Sequence, residues 1–248
     1  MDWKVMHDEP DEIVRREYRH GKVAYGFQWN KTHHEKLGSK EGDLASLWAH
    51  LSIISGGKFP SERFVDPFYV RSSTLKLPKM SSTKKVALRE RLLRTGSVVR
   101  SMESSLVPKI REYHRNRDEM SYSADHGILK QFLNSDLDTI AIEVPVWSDR
   151  YKLTGHVDLI RYVDGKIQVC DYKPGSLEST ANRFLHSLPQ VSAYGEMVAH
   201  HLADTLRSAL NAPLLPRVRC CVFDAHSCWE FGAELFVSLL ESGYLEGL

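Results

Sequence analysis

Residues 139–175 read TIAIEVPVWSDRYKLTGHVDLIRYVDGKIQVCDYKPG, and this stretch decides the fold. Residues 139–147 and 152–163 are dense in β-branched side chains, and 166–173 continues the pattern, so three successive strands are expected. Asp164-Gly165 has the chemistry of a tight hairpin turn, and Pro174-Gly175 ends the third strand. Working outward, DHGILKQFLN (125–134) reads as a short helix before the strands. Residues 178–210 have helical character, with Pro189 as the expected start. VRCCVFDA (218–225) reads as a fourth strand, SCWEFG as its partner, and AELFVSLLESGY as a closing helix. Helix, three meandering strands, helix, strand and helix make an α/β fold with a central mixed β-sheet flanked by helices.

The first 95 residues are read as a mainly helical N-terminal accessory region, and 96–248 as the core domain. DEIVRREY suggests a short helix, and EGDLASLWAHLSII a better one that Gly56-Gly57 stops. His33 and His34 are adjacent, do not share a face, and are expected as solvated loop residues. Ser82 or Thr83 is placed as the cap of a helix reaching Arg94, with Val86, Leu92 and Leu93 on one face. A second helix is expected from Ser97 to Arg117, bent near Pro108.

At 248 residues, with 42% hydrophobic and 26% charged side chains, the chain is long enough to bury a core without staples. No apolar run approaches the length of a membrane span, and the first residues lack the apolar stretch of a secretory signal. An intracellular protein, cytoplasmic or nucleoid-associated, is expected. The four cysteines, Cys170, Cys220, Cys221 and Cys228, contain no C-x-x-C pair and are expected as buried free thiols. Net charge is +1, but residues 1–120 carry 23 basic and 16 acidic side chains, and the remainder 10 and 16. Residues 74–100 alone hold Lys76, Lys79, Lys84, Lys85, Arg89, Arg91, Arg94 and Arg100 against Glu90. Such a stretch is either a phosphate-contacting surface or a solvated helix face.

Asp158, Asp171 and Lys173 carry the chemistry. Residues i and i+2 of a strand point the same way, so Asp171 and Lys173 share a face and Cys170 and Tyr172 take the other. If the Asp164-Gly165 hairpin pairs the two strands, Asp158 and Asp171 lie side by side. Two such carboxylates repel unless a cation neutralises them, and oxygen donors suit Mg²⁺ or Mn²⁺. A nearby lysine can orient or deprotonate an attacking water, a set suited to phosphodiester hydrolysis. Gln190 and Tyr194 are one helical turn apart and face the same way.

Gly155-His156-Val157-Asp158, then Asp171-Tyr172-Lys173-Pro174-Gly175, then Gln190-Val191-Ser192-Ala193-Tyr194 together resemble the RecB-like branch of the PD-(D/E)XK nuclease superfamily. The resembling motifs are G-x-x-D, [DE]-x-K and Q-x-x-x-Y, and the resemblance covers roughly residues 96–235. It implies a restriction-endonuclease-like core and an Mg²⁺- or Mn²⁺-dependent deoxyribonuclease. It further implies that Asp158 and Asp171 bind metal, with the Tyr172 carbonyl completing the shell, and that Lys173 is the catalytic lysine. Gln190 and Tyr194 would face the site and help hold DNA. Glu143 resembles a strand glutamate that binds metal directly or through water, and His156 reads as a local hydrogen-bond partner. The expected activity is exonuclease or flap trimming on single-stranded ends in repair, recombination or replication. A spacer-processing nuclease like those beside CRISPR systems, or an idle nuclease fold that binds DNA, are the alternatives. Lys84, Lys85, Arg89, Arg91 and Arg100 would contact the backbone of DNA, and no nucleotide-binding loop is present, so any helicase motor would be a partner chain.

Two departures from the family pattern stand out. Gly96-Ser97-Val98-Val99-Arg100 occupies the apparent place of a G-x-x-x-H motif, so Arg100 replaces the histidine, or else His114 or His126 takes that role. No cysteine precedes the core, so no iron–sulfur cluster is expected.

Overall fold

A computed structural model describes residues 11–102, 104–116, 127–174, 177, 183–210 and 218–248, with backbone alone at 204–210. The first elements are strands. β1 (Ile13–His20) and β2 (Val23–Asn30) form an antiparallel hairpin closed by the two-residue turn Gly21-Lys22, with Gly21 at φ 61°. DEIVRREY is therefore not a helix. Eight residues of mixed character fit either period, and pairing with a neighbouring strand decides between them.

The expected core strands are all present: β5 (Thr139–Ser148), β6 (Leu153–Val163), β7 (Lys166–Tyr172), β8 (Val218–Phe223) and β9 (Cys228–Gly232). Asp164 and Gly165 both have positive φ, 51° and 74°, as a hairpin turn matching strand twist requires. With β3 (Val70–Arg71) and β4 (Val98–Arg100) they form one nine-stranded sheet, ordered β1-β2-β5-β6-β7-β8-β9-β4, with β3 added beside β6. The β7–β8 and β3–β6 pairs are parallel, and the rest are antiparallel. The sheet is thus mixed and flanked by helices, a restriction-endonuclease-like architecture.

One face of the sheet is covered by α6 (Arg183–Leu210), assisted by α2 (Gly42–Ser55), α3 (Ser82–Arg94) and α7 (Leu235–Glu241). The other is covered by α4 (Leu106–Asn116) and α5 (Gly127–Ser135), whose Leu106, Ile110, Ile128, Leu129, Phe132 and Leu133 are all buried. Pro189 lies inside α6 rather than at its start. Its missing N–H forfeits a helical hydrogen bond, and burial of Phe184, Leu185, Leu188 and Val191 around it offsets that loss.

Three further expectations are corrected. His33 and His34 belong to a short helix, α1 (Lys31–Lys36), and both are buried. The His33 ring lies 2.9 Å from the Thr139 carbonyl, and His34 accepts from the Trp29 indole at 3.2 Å and meets the Leu44 carbonyl at 2.9 Å. Side-chain pairing, invisible in a local pattern, draws them inward. The cap of α3 is Ser81, which accepts from the Lys84 N–H, and its buried residues are Leu88 and Leu92, whereas Val86 and Leu93 are exposed. No helix starts at Ser97. Gly96 turns the chain at φ 69°, the β-branched Val98 and Val99 pair with β9, and the helix begins at Leu106.

The sheet opens at one place. β7 pairs with β6 from Lys166 to Cys170, and β3 pairs with the far end of β6 at Leu153 and Thr154. Residues 155–158 lie between these two contacts, where β7 has begun to diverge. The Tyr172 N–H donates to Asp158 Oδ2 at 2.9 Å in place of a ladder bond. Among the described residues no helix is long and apolar enough to cross a membrane.

Candidate active site

The divergence of β6 and β7 forms one wall of a cavity of about 280 Å³. Extending the register from Leu159↔Cys170 places Asp158 opposite Asp171. The pairs Ile142↔Leu159 and Val144↔Val157 bracket Glu143 and place it opposite Asp158 on the other side. Glu143, Asp158 and Asp171 therefore form a row across three adjacent strands, and all three line the cavity. Glu143 has φ 51°, a conformation that costs a non-glycine residue on the order of 1–3 kcal/mol. Its carbonyl is held by the Tyr18 hydroxyl at 2.7 Å, which stabilises the kink.

Lys173 Nζ forms an ion pair with Asp171, 2.8 Å from Oδ2, and donates to Gln190 Oε1 at 3.2 Å. Burial lowers the affinity of its amine for a proton, but the Asp171 and Asp158 carboxylates outweigh that effect and hold its pKa above the ordinary lysine value. Lys173 is therefore an ammonium at neutral pH, equipped to donate and to stabilise negative charge. Gln190 in turn donates to the Tyr194 hydroxyl at 2.7 Å. The chain Asp171–Lys173–Gln190–Tyr194 links β7 to α6, and Gln190 and Tyr194 reach the cavity together with Tyr172.

Most of the remaining lining comes from residues that no motif in the sequence singles out. His20 and Tyr25 from the N-terminal hairpin, Arg71 from β3, and Ser73, Thr154 and His156 complete the lining. Tyr25 stacks on His156 with ring centroids 3.6 Å apart and planes 14° apart. The His156 ring thus packs against aromatic rings, and its Nε2 is buried without a hydrogen-bond partner among the described residues. Burial, then His20, then Arg71 push its pKa down to about 3, and burial followed by Arg71 brings His20 down to about 4. Both rings are neutral near neutral pH. The alternation YRHGKVAY around Gly21 was the available sign of this hairpin.

The basic residues lie apart from this lining. Lys84, Lys85, Arg89 and Arg91 sit on α3. Arg89 stacks over Trp229 and Phe184, with its guanidinium carbon 5.5 and 5.9 Å from the ring centres, and Arg91 lies 5.5 Å from the centre of Tyr244. Lys85 Nζ comes within 3.5 Å of His186, one turn of α6 before Gln190, so the helix borders the site through α6. Arg100 is on β4, the outermost strand of the sheet, and does not line the cavity. His114 approaches the Tyr172 hydroxyl at 3.4 Å, from the side of the sheet packed by α4. His126 lies outside the described residues, as does Gly175.

Among the described residues no group of three or more His, Cys, Asp or Glu side chains is gathered as a ready metal cluster. What the site offers is a pair of hard carboxylates, Asp158 and Asp171, with Glu143 next in the row and main-chain carbonyls at the strand ends. That donor set fits a hard divalent cation such as Mg²⁺ and does not fit a thiolate-loving one. The four cysteines are all buried free thiols, with Cys221 and Cys228 sulfurs 3.2 Å apart inside the sheet's other face.

A sheet of this order, with adjacent aspartates and a lysine where two central strands part, has the architecture of a restriction-endonuclease-like nuclease. The model of the PD-(D/E)XK nuclease superfamily matches residues 73–216, more than half of the sequence, and the chain belongs to that superfamily. Membership brings with it the general activity of a nuclease and the general use of a divalent metal such as Mg²⁺. No curated protein matches the sequence.

Proposed function

We propose that the protein is a metal-dependent DNA nuclease of the RecB-like branch that trims single-stranded ends or flaps during repair, recombination or replication. The observation that carries this reading is the adjacency of Asp158 and Asp171, with Lys173 bonded to Asp171, at the mouth of the strand divergence. The spacing of Gln190 and Tyr194 on α6 supports the RecB-like assignment. Asp158, Asp171 and the Tyr172 carbonyl hold Mg²⁺ or Mn²⁺, with Glu143 a further ligand. When bound, the ion supplies Lewis-acid polarisation of the scissile phosphodiester.

The chain's own residues do the rest. Lys173 donates a proton-bearing nitrogen toward the attacking water and the charge that develops on the phosphate, and Asp171 fixes its position. Gln190 holds Lys173 from the other side, and Tyr194 holds Gln190. In-line attack leaves a 5′-phosphate and a 3′-hydroxyl. Lys84 and Lys85 contact the DNA backbone beside α6, with Arg89, Arg91 and Arg100 adding positive potential. Residues 96–248 form the nuclease core, the first 95 residues an accessory region, and a helicase or repair chain in the cytoplasm or nucleoid supplies any motor.

End-labelled linear, duplex, flap and closed circular DNA incubated with Mg²⁺ or Mn²⁺ tests this reading. Shortening of single-stranded ends, sparing of circles and silence in EDTA are expected. Binding without cleavage in either metal would point instead to an idle nuclease fold.

A further inference from the structure

His20, Arg71 and His156 line the same cavity as the two aspartates and have no place in the scheme above. Resting on the nuclease reading, we propose that Arg71 binds a non-scissile phosphate of the substrate strand, with His20 as the residue that positions it.

Arg71 is fixed before any substrate arrives. Its Nε donates to His20 Nε2 at 2.8 Å and its Nη2 to the His20 carbonyl at 2.9 Å. Both acceptors are neutral groups. Among the described residues no carboxylate forms an ion pair with Arg71, so its positive charge stands uncompensated beside the cavity. Two polar atoms on residues of the same lining lack partners. His20 Nδ1 and His156 Nε2 are buried without a hydrogen-bond partner, and both residues line this cavity. His20 is only 4% exposed and His156 8%, so bulk water does not serve them. With Nε2 accepting from Arg71, the His20 proton sits on Nδ1, a second donor in this lining. A guanidinium locked on two of its edges and an N–H donor beside it suit an oxyanion such as a phosphodiester.

The placement fits a neighbouring phosphate rather than the scissile one. Arg71 pairs with Thr154 on β6, four residues from Asp158, or about 13 Å of strand at roughly 3.3 Å per residue. The side chain covers part of that span and leaves the metal-binding end of the cavity clear. Ser73 in the same lining offers a hydroxyl along the path.

The test is a methylphosphonate scan. One backbone position at a time in a single-stranded oligonucleotide is made neutral, and kcat/KM is measured with Mg²⁺ for the wild type, Arg71→Gln, Arg71→Lys and His20→Phe. In the wild type, neutralising the contacted phosphate should lower kcat/KM by about tenfold or more, the loss of a charge-assisted contact. In Arg71→Gln that penalty should vanish at that one position while those at other positions persist. Arg71→Lys, a point charge in place of a fork, and His20→Phe, which removes the acceptor, should each shrink it there and nowhere else. A scan unchanged in shape by Arg71→Gln, however slow the variant, would overturn the inference and make Arg71 a brace for the hairpin. If Arg71→Gln does not fold, an unchanged scan in Arg71→Lys overturns it equally. A wild-type protein that cuts no oligonucleotide overturns the nuclease reading itself, and this inference with it.

Discussion

The ring of Tyr194 occupies the space that a side chain at Gly155 would need. A Cβ there would come within 2.9 Å of Tyr194 Cδ1 and closer still to Cε1, with the Ser72 hydroxyl 3.3 Å away. The ring is 3% exposed and cannot swing aside. This contact joins β6 to α6 at the cavity, and it explains physically why the residue three before Asp158 is glycine. Only a bare backbone lets the tyrosine reach Gln190, and through it Lys173.

Gly155→Ala should therefore act on both stability and chemistry. Overpacking of a buried contact costs about 1–3 kcal/mol. The melting temperature should fall, and the cleavage rate should fall further than the loss of folded protein explains. Tyr194→Phe keeps the ring and removes only the hydroxyl, so its melting temperature should stay near wild type while its rate drops. Equal rates for Gly155→Ala and wild type, per folded molecule, would separate this contact from the chemistry.

Lys173→Ala should lower single-turnover cleavage by roughly 10²–10⁴, the range of a positioned proton donor or acceptor. Far-ultraviolet circular dichroism should be unchanged, since the ammonium is partly exposed and its one contact with α6 is a single side-chain bond to Gln190. DNA affinity measured in Ca²⁺ should change little. Near-normal turnover would reduce Lys173 to a counter-ion for Asp171.

Acidification should destabilise the fold above the carboxylate range. His34 is held down to about 4 by burial, partly opposed by its contact with the Leu44 carbonyl. His50 is pushed well below the ordinary histidine value by burial and by the stacked His201 ring, 4.6 Å away. His20 and His156 add to the same effect. The native protein keeps these rings neutral, whereas the unfolded chain takes up protons as pH falls below about 6.5. Unfolding then binds protons, so stability present above pH 6.5 declines steadily toward pH 4. Calorimetric melting between these limits, without DNA, checks it. His50→Gln should flatten the slope, and a melting temperature constant from pH 6.5 to 4.5 would contradict the assignment.

The cations of α3 should divide into two groups. Lys84 is exposed and Lys85 Nζ lies 3.5 Å from His186, so reversing both to Glu should weaken DNA binding across unrelated sequences. The salt slope should flatten by about 0.7 for each lost single-strand contact, with little change in melting temperature. Arg89, stacked over Trp229 and Phe184, should behave oppositely. Arg89→Ala should cost on the order of 1 kcal/mol through lost packing and cation–π contact, visible in thermal melts without DNA.

The central strands were legible because β5, β6 and β7 are local, rich in β-branched residues and closed by a turn whose chemistry is written in Asp164-Gly165. The adjacency of Asp158 and Asp171 followed from that hairpin alone. Most of the first 95 residues were not legible, because their structure depends on distant partners. β1 and β2 join the sheet only where Gln28 and Trp29 meet Ile142 and Ala141, more than a hundred residues away. Val70 and Arg71 become a strand by lying beside Leu153 and Thr154. His33 and His34 are buried by carbonyls at residues 139 and 44, which no local window contains. His20, Tyr25 and Arg71 were missed as site residues for the same reason.

The family match begins at residue 73, yet His20, Tyr25 and Arg71 all precede it. The aspartates and the lysine are held by a central hairpin and one helix, and an earlier part of the chain adds His20, Tyr25 and Arg71 to the cavity lining. An exchange of the N-terminal hairpin would therefore reach the site itself, because Tyr18 holds the Glu143 carbonyl and Tyr25 stacks on His156 of the strand that bears Asp158. A fragment cut to residues 73–216 would keep Asp158, Asp171 and Lys173 but lose His20, Tyr25 and Arg71 from the cavity lining, and β8 from beside β7.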